Sequence, residues 1–316
     1  MADTALITGG AGFVGSHIVR RMLALDWNVV VLDDLSTGRR ANLDEVAADI
    51  RFVEGDVRCL DDVRGAVEGC DAVLHQAALP SVPRSIADPI ASHAVNATGT
   101  LNVLVAARDA GVRRVVMASS SSVYGATPGL PKRESMPTLP LSPYAVSKLA
   151  AESYCRSWFD LYGVETVALR YFNVFGPRQD PLSAYAAVVP RFIAAYAAGE
   201  PPVIFGDGEQ SRDFTYVANV VDANVRALES ASAAGGVYNI ACNERITLNE
   251  LARELGRQMG SRVVPVHAAP RPGEVRHSLA DIGAARADLG YEPRIALAEG
   301  LRATVAAGVA NVAVSA

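Results

Sequence analysis

The stretch ALITGGAGFVGSH, residues 5 to 17, decides the fold. An apolar run of strand type passes straight into a glycine-rich turn and then into a helical pattern. Gly10, Gly12 and Gly15 satisfy GxGxxG, and Gly9, Gly12 and Gly15 satisfy the looser GxxGxxG. Glycines at this spacing allow a tight turn, backbone approach to a pyrophosphate and close helix packing, with the helix N-terminus facing the anion. Gly9, Gly12, Phe13, Val14 and Gly15 are therefore candidate dinucleotide contacts. Asp33 strengthens the reading, because it ends the next apolar run 18 residues beyond Gly15. A carboxylate there accepts hydrogen bonds from an adenosine ribose and repels the 2′-phosphate of NADP, so NAD is the expected cofactor. Arg39 and Arg40 lie near enough in sequence to keep NADP from being excluded.

Working outward, strand-like runs recur: NVVVL near 28, IRFVE near 50, AVLHQ near 72, RRVVMAS near 113 and ETVALRYF near 165. Strands that are apolar almost throughout, alternating with helical stretches, predict an α/β fold of Rossmann type, a doubly wound parallel sheet. The segment from 91 to 110 is long enough for one crossover helix. After Phe175 the strands shorten and Pro and Gly become frequent, which predicts a smaller C-terminal substrate-binding lobe over the carboxyl ends of the strands. The expected division is a dinucleotide-binding domain over 1–175 and a lobe made mainly of 176–316, with the chain free to cross between them.

Composition narrows the class. Of 316 residues, 50% are hydrophobic and 20% charged, and the net charge of −5 makes no electrostatic case for nucleic acid or an anionic membrane. Cys59, Cys70, Cys155 and Cys242 show neither CxxC pairing nor zinc-like spacing, so no disulfide framework or metal site is expected. No apolar run approaches the ~18 residues that span a bilayer. The Ala-rich C-terminus is interrupted by Glu299 and Arg302 and reads as a docked amphipathic helix. A cytoplasmic protein is expected.

Lysine is nearly absent, with only Lys132 and Lys148 beside 10 tyrosines. Chance would give roughly 0.06 Tyr-x-x-x-Lys matches in such a chain, yet Lys148 follows Tyr144 by four positions. On a helix that spacing puts both side chains on one face. A nearby ammonium favours a phenolate and lowers the tyrosine pKa toward the working pH of a general base.

These motifs, together with GDV at 55 to 57, ASSSSVYG at 118 to 125, YAVSK at 144 to 148, RYFNVFGPRQ at 170 to 179, RDFTYV at 212 to 217 and RPGEVRHSLADI at 271 to 282, resemble the extended short-chain dehydrogenase/reductases. Within them the chain most resembles the nucleotide-sugar 4-epimerases of the NAD-dependent epimerase/dehydratase family, over nearly its whole length. The resemblance implies that Tyr144 is the base, that Lys148 orients the nicotinamide ribose, and that Ser120 hydrogen-bonds the reacting oxygen. It places Asp34, Ser36, Gly38, Asp56, Val57, Gln76, Ala77, Ala78, Asn96 and Tyr171 at the cofactor. It places Ser81, Ser121, Asn173, Val189, Arg212, Arg271, Glu274 and Ser278 at a UDP-sugar, the two arginines offering fork-shaped donors to a diphosphate. It also implies a homodimer through a bundle of the helices near 91 to 110 and 144 to 162.

The implied reaction removes the C4 hydroxyl proton and hydride of a UDP-hexose, turns the 4-keto sugar over, and returns the hydride to its other face. Dehydratases and decarboxylases of the family place acids just before VYG, where this chain has Ser121 and Ser122, hydroxyls that carry protons poorly at neutral pH. A UDP-glucuronate 4-epimerase is an alternative, opposed by Asp180 after GPRQ, where an acid should repel a uronate. A catalytically silent dinucleotide-binding scaffold would be marked by loss of Tyr144 or Lys148, and both are present. In the family a residue equivalent to Ser278 borders C2 of the hexose, and a small one admits an N-acetyl group. UDP-N-acetylglucosamine and UDP-N-acetylgalactosamine are therefore expected substrates, alongside UDP-glucose and UDP-galactose. The alternative is that Ser278 caps a helix running through Ala280 and Asp281.

Overall fold

The computed structural model of the chain describes residues 2–181, 186–270 and 275–314. Its centre is a parallel sheet of seven strands, six of which fall on the apolar runs read from the sequence: β1 (Thr4–Thr8), β2 (Asn28–Asp33), β3 (Ile50–Glu54), β4 (Ala72–His75), β5 (Arg114–Ser120) and β6 (Glu165–Tyr171). The seventh, β7 (Val237–Ile240), lies beyond them in the chain, and the order across the sheet is β7-β6-β5-β4-β1-β2-β3. This is a Rossmann-like α/β fold. The chain reverses direction across the sheet between β1 and β4, and there the carboxyl ends of the strands open a crevice.

Side-chain alternation explains why the strands are apolar on both faces. Ala5 and Ile7 of β1 enter a core shared with α1 (Phe13–Leu23) and with Val217, Val220 and Val221 of a later helix. Leu6 enters the opposite core, built with α2 (Leu60–Val67), α3 (Gly99–Asp109) and α4 (Pro143–Tyr162). Residues 91–109 form a crossover helix between β4 and β5, with one irregularity. Helix runs over Pro89–His93, the backbone widens into a π turn over Ala94–Thr98, and α3 begins at Gly99. Thr100 Oγ1 donates to the Asn96 carbonyl at 2.6 Å, competing with the regular helical pattern at that point.

After Phe175 the chain leaves the sheet, forms α5 (Val188–Ala197), and then returns. Helix α6 (Val217–Glu229) packs against α1, and β7 pairs with β6 at the sheet edge. A separate core of Phe175, Val189, Phe192, Phe214, Leu251 and Leu301 holds the C-terminal lobe. The Ala-rich C-terminus is the helix α7 (Leu297–Val314), docked through the fully buried Leu301. No described helix is long and apolar enough to cross a membrane.

Candidate active site

The glycine turn makes a cradle that side chains would fill. Gly9 adopts φ of +68°, and a Cβ there would lie 2.7 Å from the Ala77 nitrogen at the end of β4. A Cβ on Gly15 would run into the Gly9 carbonyl oxygen. Helix α1 starts behind this turn, with Phe13, Val14 and Gly15 in its first turn and no side-chain cap on Gly12, so its leading N–H groups face the crevice as an anion site requires.

Asp33 ends β2 with only 6% of its surface exposed, one carboxylate oxygen accepting from Ala11 N and the other from Leu35 N, both at 2.9 Å. Burial pushes its pKa up, and these two backbone bonds pull it back. Gly38 packs against the same carboxylate, where a Cβ would lie 2.8 Å from it. Ser36 donates from both its N–H and its hydroxyl to Asp34, closing the loop that follows. The two arginines considered for a 2′-phosphate are engaged elsewhere. Arg39 pairs with Asp180 at 2.7 Å and Arg40 stacks 3.8 Å above the Phe52 ring. The first pair also corrects the argument from Asp180: Arg39 compensates its charge, so repulsion of a uronate is weakened.

Gln76, Ala77 and Ala78 follow β4, while Asp56 and Val57 follow β3. Asp56 is held below the usual carboxylate value, chiefly by hydrogen bonding from Arg58. Asn96 is fully buried in the π turn, its amide joining Leu79 to Ser147 of α4. Tyr171 donates to Gln76 Oε1 at 3.1 Å and receives Asn224 Nδ2 at 2.7 Å. Asn224, on α6, was not found from the sequence, because nothing local links that helix to β4 and β6.

Ser120 is the last residue of β5, and the turn Ser121–Tyr124 carries the backbone round it. The Ser120 hydroxyl accepts from Ser122 N at 3.2 Å and from Ser122 Oγ at 2.9 Å, and no carboxylate occupies position 121 or 122. Helix α4 opens on Ser142, which accepts from Ala145 N, with Pro143 in the first turn. That start fixes Tyr144 and Lys148 one turn apart beside Ser120. Lys148 is 4% exposed and donates to the Ala118 carbonyl at 2.7 Å. Burial lowers its pKa to about 8, with Cys155 and Glu152 opposing. Tyr144 departs from the sequence reading. Burial raises its phenol above the usual value, a hydrogen bond with Ser120 pulls it back, and the Lys148 ammonium is engaged with the Ala118 carbonyl.

On the other side of the crevice, Asn173, Val189 and Arg212 line one cavity of about 260 Å³, joined by Phe205, Gln210 and Arg191. The Arg191 guanidinium lies 5.5 Å above the Phe205 ring. An apolar wall, a stacked aromatic and a cation suit a nucleotide. These last three residues were missed, since they are gathered by pairing between distant segments. Asn173 takes φ of +34° and donates to the Asp213 carbonyl, while Arg212 donates to the carbonyls of Ser211 and Arg276. Ser81 holds φ of +134°, a strained backbone for a residue with a side chain, and caps the short helix after it. Arg271 and Glu274 lie outside the described residues. Ser278 donates its N–H to the Ser211 carbonyl, next to Arg212, and Leu279 accepts from Lys132 N. The segment thus bridges the cavity edge and the loop after Tyr124. Ser278 caps no helix, because the next one begins at Gly283. Among the described residues no side-chain cluster could hold a metal ion.

The family model for the NAD dependent epimerase/dehydratase family matches residues 5–241. The UDP-glucose 4-epimerase of Mycolicibacterium smegmatis is 42% identical, the alignment covering 95% of this chain and 96% of that protein. The structure of a UDP-N-acetylglucosamine 4-epimerase from Methanobrevibacter ruminantium, in complex with UDP-N-acetylmuramic acid, superposes with a TM-score of 0.93 at 40% identity, covering 98% of this chain and all of that one. A Thermus thermophilus UDP-glucose 4-epimerase solved with NAD gives a TM-score of 0.89 at 38% identity, covering 97% and 99% of the two chains. The glycine cradle, the carboxylate that closes it and the Tyr144/Lys148 pair beside it all fit NAD, and the chain belongs to the NAD dependent epimerase/dehydratase family of enzymes.

Proposed function

We propose that the protein is a UDP-sugar 4-epimerase that interconverts UDP-N-acetylglucosamine and UDP-N-acetylgalactosamine, and UDP-glucose and UDP-galactose beside them. The observation that carries the reading is the Tyr144, Lys148 and Ser120 set with hydroxyls, not carboxyls, at 121 and 122. Such a site can move the C4 proton but has no acid there to drive elimination. NAD, when bound, takes the C4 hydride and gives it back. Ser120 holds the reacting oxygen, Tyr144 accepts its proton, and the Lys148 ammonium supplies positive charge beside them. Arg212 and the cavity around Asn173, Val189 and Phe205 hold the nucleotide, so the sugar itself is held loosely enough to turn over.

For the sugar, the supporting feature is Ser278, a small side chain on the segment between the cavity edge and the post-Tyr124 loop. Product separation after incubation with the four UDP-sugars tests the reading: each should yield its C4 epimer and no 4-keto-6-deoxy product. Ser278→Tyr should lower turnover of the acetylated pair more than ~10-fold while sparing UDP-galactose, since exclusion at C2 does not touch C4 chemistry. An equal loss on both pairs would remove the basis for the acetyl preference.

The working form we propose is a cytoplasmic homodimer. Ile90 and Val146, 80% and 52% exposed, line a groove of about 380 Å³ between the Pro89–His93 helix and α4, and Ile86 and Leu161 add exposed apolar surface on the preceding helix and at the far end of α4. No comparably exposed large apolar residue sits on α3 among the described residues, which shifts the expected contact toward residues 86–90 and α4. Light scattering should give twice the chain mass for the wild type and one chain mass for Ile90→Glu/Val146→Glu. A monomeric wild type would contradict the assignment.

A further inference from the structure

Glu152 follows Lys148 by one turn of α4, as Lys148 follows Tyr144, so the three lie on one face of the helix. Its carboxylate is 5% exposed and grips Arg170, itself 6% exposed, through two bonds: Nε to Oε1 at 2.9 Å and Nη2 to Oε2 at 2.7 Å. Ser119 Oγ donates to the same Oε1. Ser119 and Arg170 are register partners across β5 and β6, and the next pair along is Ser120 and Tyr171. One carboxylate therefore pins the catalytic helix onto both strands, a single residue short of the groups that meet substrate and cofactor. The Arg170 guanidinium also lies 4.7 Å above the Tyr124 ring, in the turn that follows Ser120.

A buried ion pair is a poor source of stability, because apolar residues of similar volume usually do as well or better. Its retention here calls for another reason, and the surroundings of Lys148 supply one. The groups facing that ammonium are the Ala118 carbonyl, Cys155, Glu152 and, from β4, His75. Burial raises the Cys155 thiol to about 12 and lowers His75 to about 3, so both are neutral through the physiological range. Glu152 is the negative charge among them.

We propose that Glu152 and Arg170 are positioning residues for catalysis: their ion pair sets α4 against β5 and β6 so that the Lys148 ammonium stays seated and charged beside Tyr144. The proposal rests on the epimerase reading for its kinetic consequence, but not for its effect on Lys148.

Glu152→Gln alone leaves Arg170 buried without its counter-charge and can fail to fold, so Glu152→Met/Arg170→Met carries the test. Only two lysines occur in the chain, so ¹³C-lysine labelling gives two Cε titrations, and the Lys148→Met spectrum assigns them. In the double variant Lys148 should titrate at least ~0.5 pH unit lower than in the wild type, because burial is then no longer opposed by a carboxylate. The alkaline limb of kcat should move down with it, with kcat reduced at least ~10-fold and KM changed less than ~3-fold. A folded double variant with an unmoved Lys148 titration and wild-type kcat would overturn the proposal. Failure of the double variant to fold would overturn it too, since the pair would then serve stability. A wild-type protein inactive on every UDP-sugar would sink the epimerase reading, while the lysine titration would still decide this one.

Discussion

Tyr144→Phe should leave the fold and NAD binding intact and reduce epimerisation at least ~100-fold, the range expected when a general base is removed. Phenylalanine keeps the ring that packs at the start of α4 and deletes only the ionisable oxygen. The loss should fall on kcat with little change in KM, because in the proposed reaction the phenol takes the reacting proton while the cavity proposed for the nucleotide does not include Tyr144. Steady-state assay with UDP-galactose, together with the NAD absorbance of the purified variant, checks both halves. Activity within tenfold of the wild type would move the base to another group.

The resting electrostatics sharpen that expectation. Burial holds the Tyr144 phenol protonated and pulls Lys148 down to about 8, so the protein alone does not present a phenolate at neutral pH. Lys148 is charged below its pKa and loses its charge as pH rises through about 8. Any help it gives a phenolate is thus present on the acid side of that point and lost on the alkaline side. In the resting site the ammonium donates to the Ala118 carbonyl. This is a property of the site that spacing could not reveal: Tyr-x-x-x-Lys places two side chains on one helix face but says nothing about which neighbour the ammonium prefers.

The same division runs through the rest of the molecule. The glycine turn, Asp33, Tyr144 and Lys148 were legible because each depends on local geometry, a turn or a single helical repeat. The inner strands β1, β2, β4, β5 and β6 were legible because burial on both faces makes them largely apolar, and the edge strand β3 through the apolar Ile50, Phe52 and Val53. Strand β7 was not, for VYNI carries a polar Asn239 in its middle and owes its place to pairing with β6 from a distant part of the chain. The nucleotide cavity shows the same limit. Val189 and Arg212 were reached through family resemblance, whereas Phe205, Gln210 and Arg191 are brought together only when Val203–Phe205 pairs with Val266–Ala268 and α5 folds over them. The π turn at Ala94–Thr98 was hidden because the sequence there resembles ordinary helix sequence.

Gly15→Ala should strip the protein of its cofactor. The added Cβ would meet the Gly9 carbonyl oxygen well inside contact distance and lie 2.8 Å from the Gly10 Cα. Both neighbours are backbone, so no side chain can rotate away and the turn itself must open. Overpacking of this kind costs about 1–3 kcal/mol, and rigid partners put this case at the upper end. Each 1.4 kcal/mol is about tenfold in affinity, so NAD binding should weaken roughly 100-fold. Gly12→Ala strains the free protein less: its Cβ would lie 3.1 Å from the same oxygen, a crowding that a shift of a few tenths of an ångström relieves. It should lower the melting temperature less than Gly15→Ala does, although a Cβ at 12 also meets the pyrophosphate and weakens NAD binding. Titrating NAD into stripped protein, with thermal melts of each variant to confirm folding, separates the two. If Gly15→Ala folds and retains NAD as the wild type does, the turn between β1 and α1 is not the pyrophosphate cradle, and the anion would have to be held by another element of the crevice.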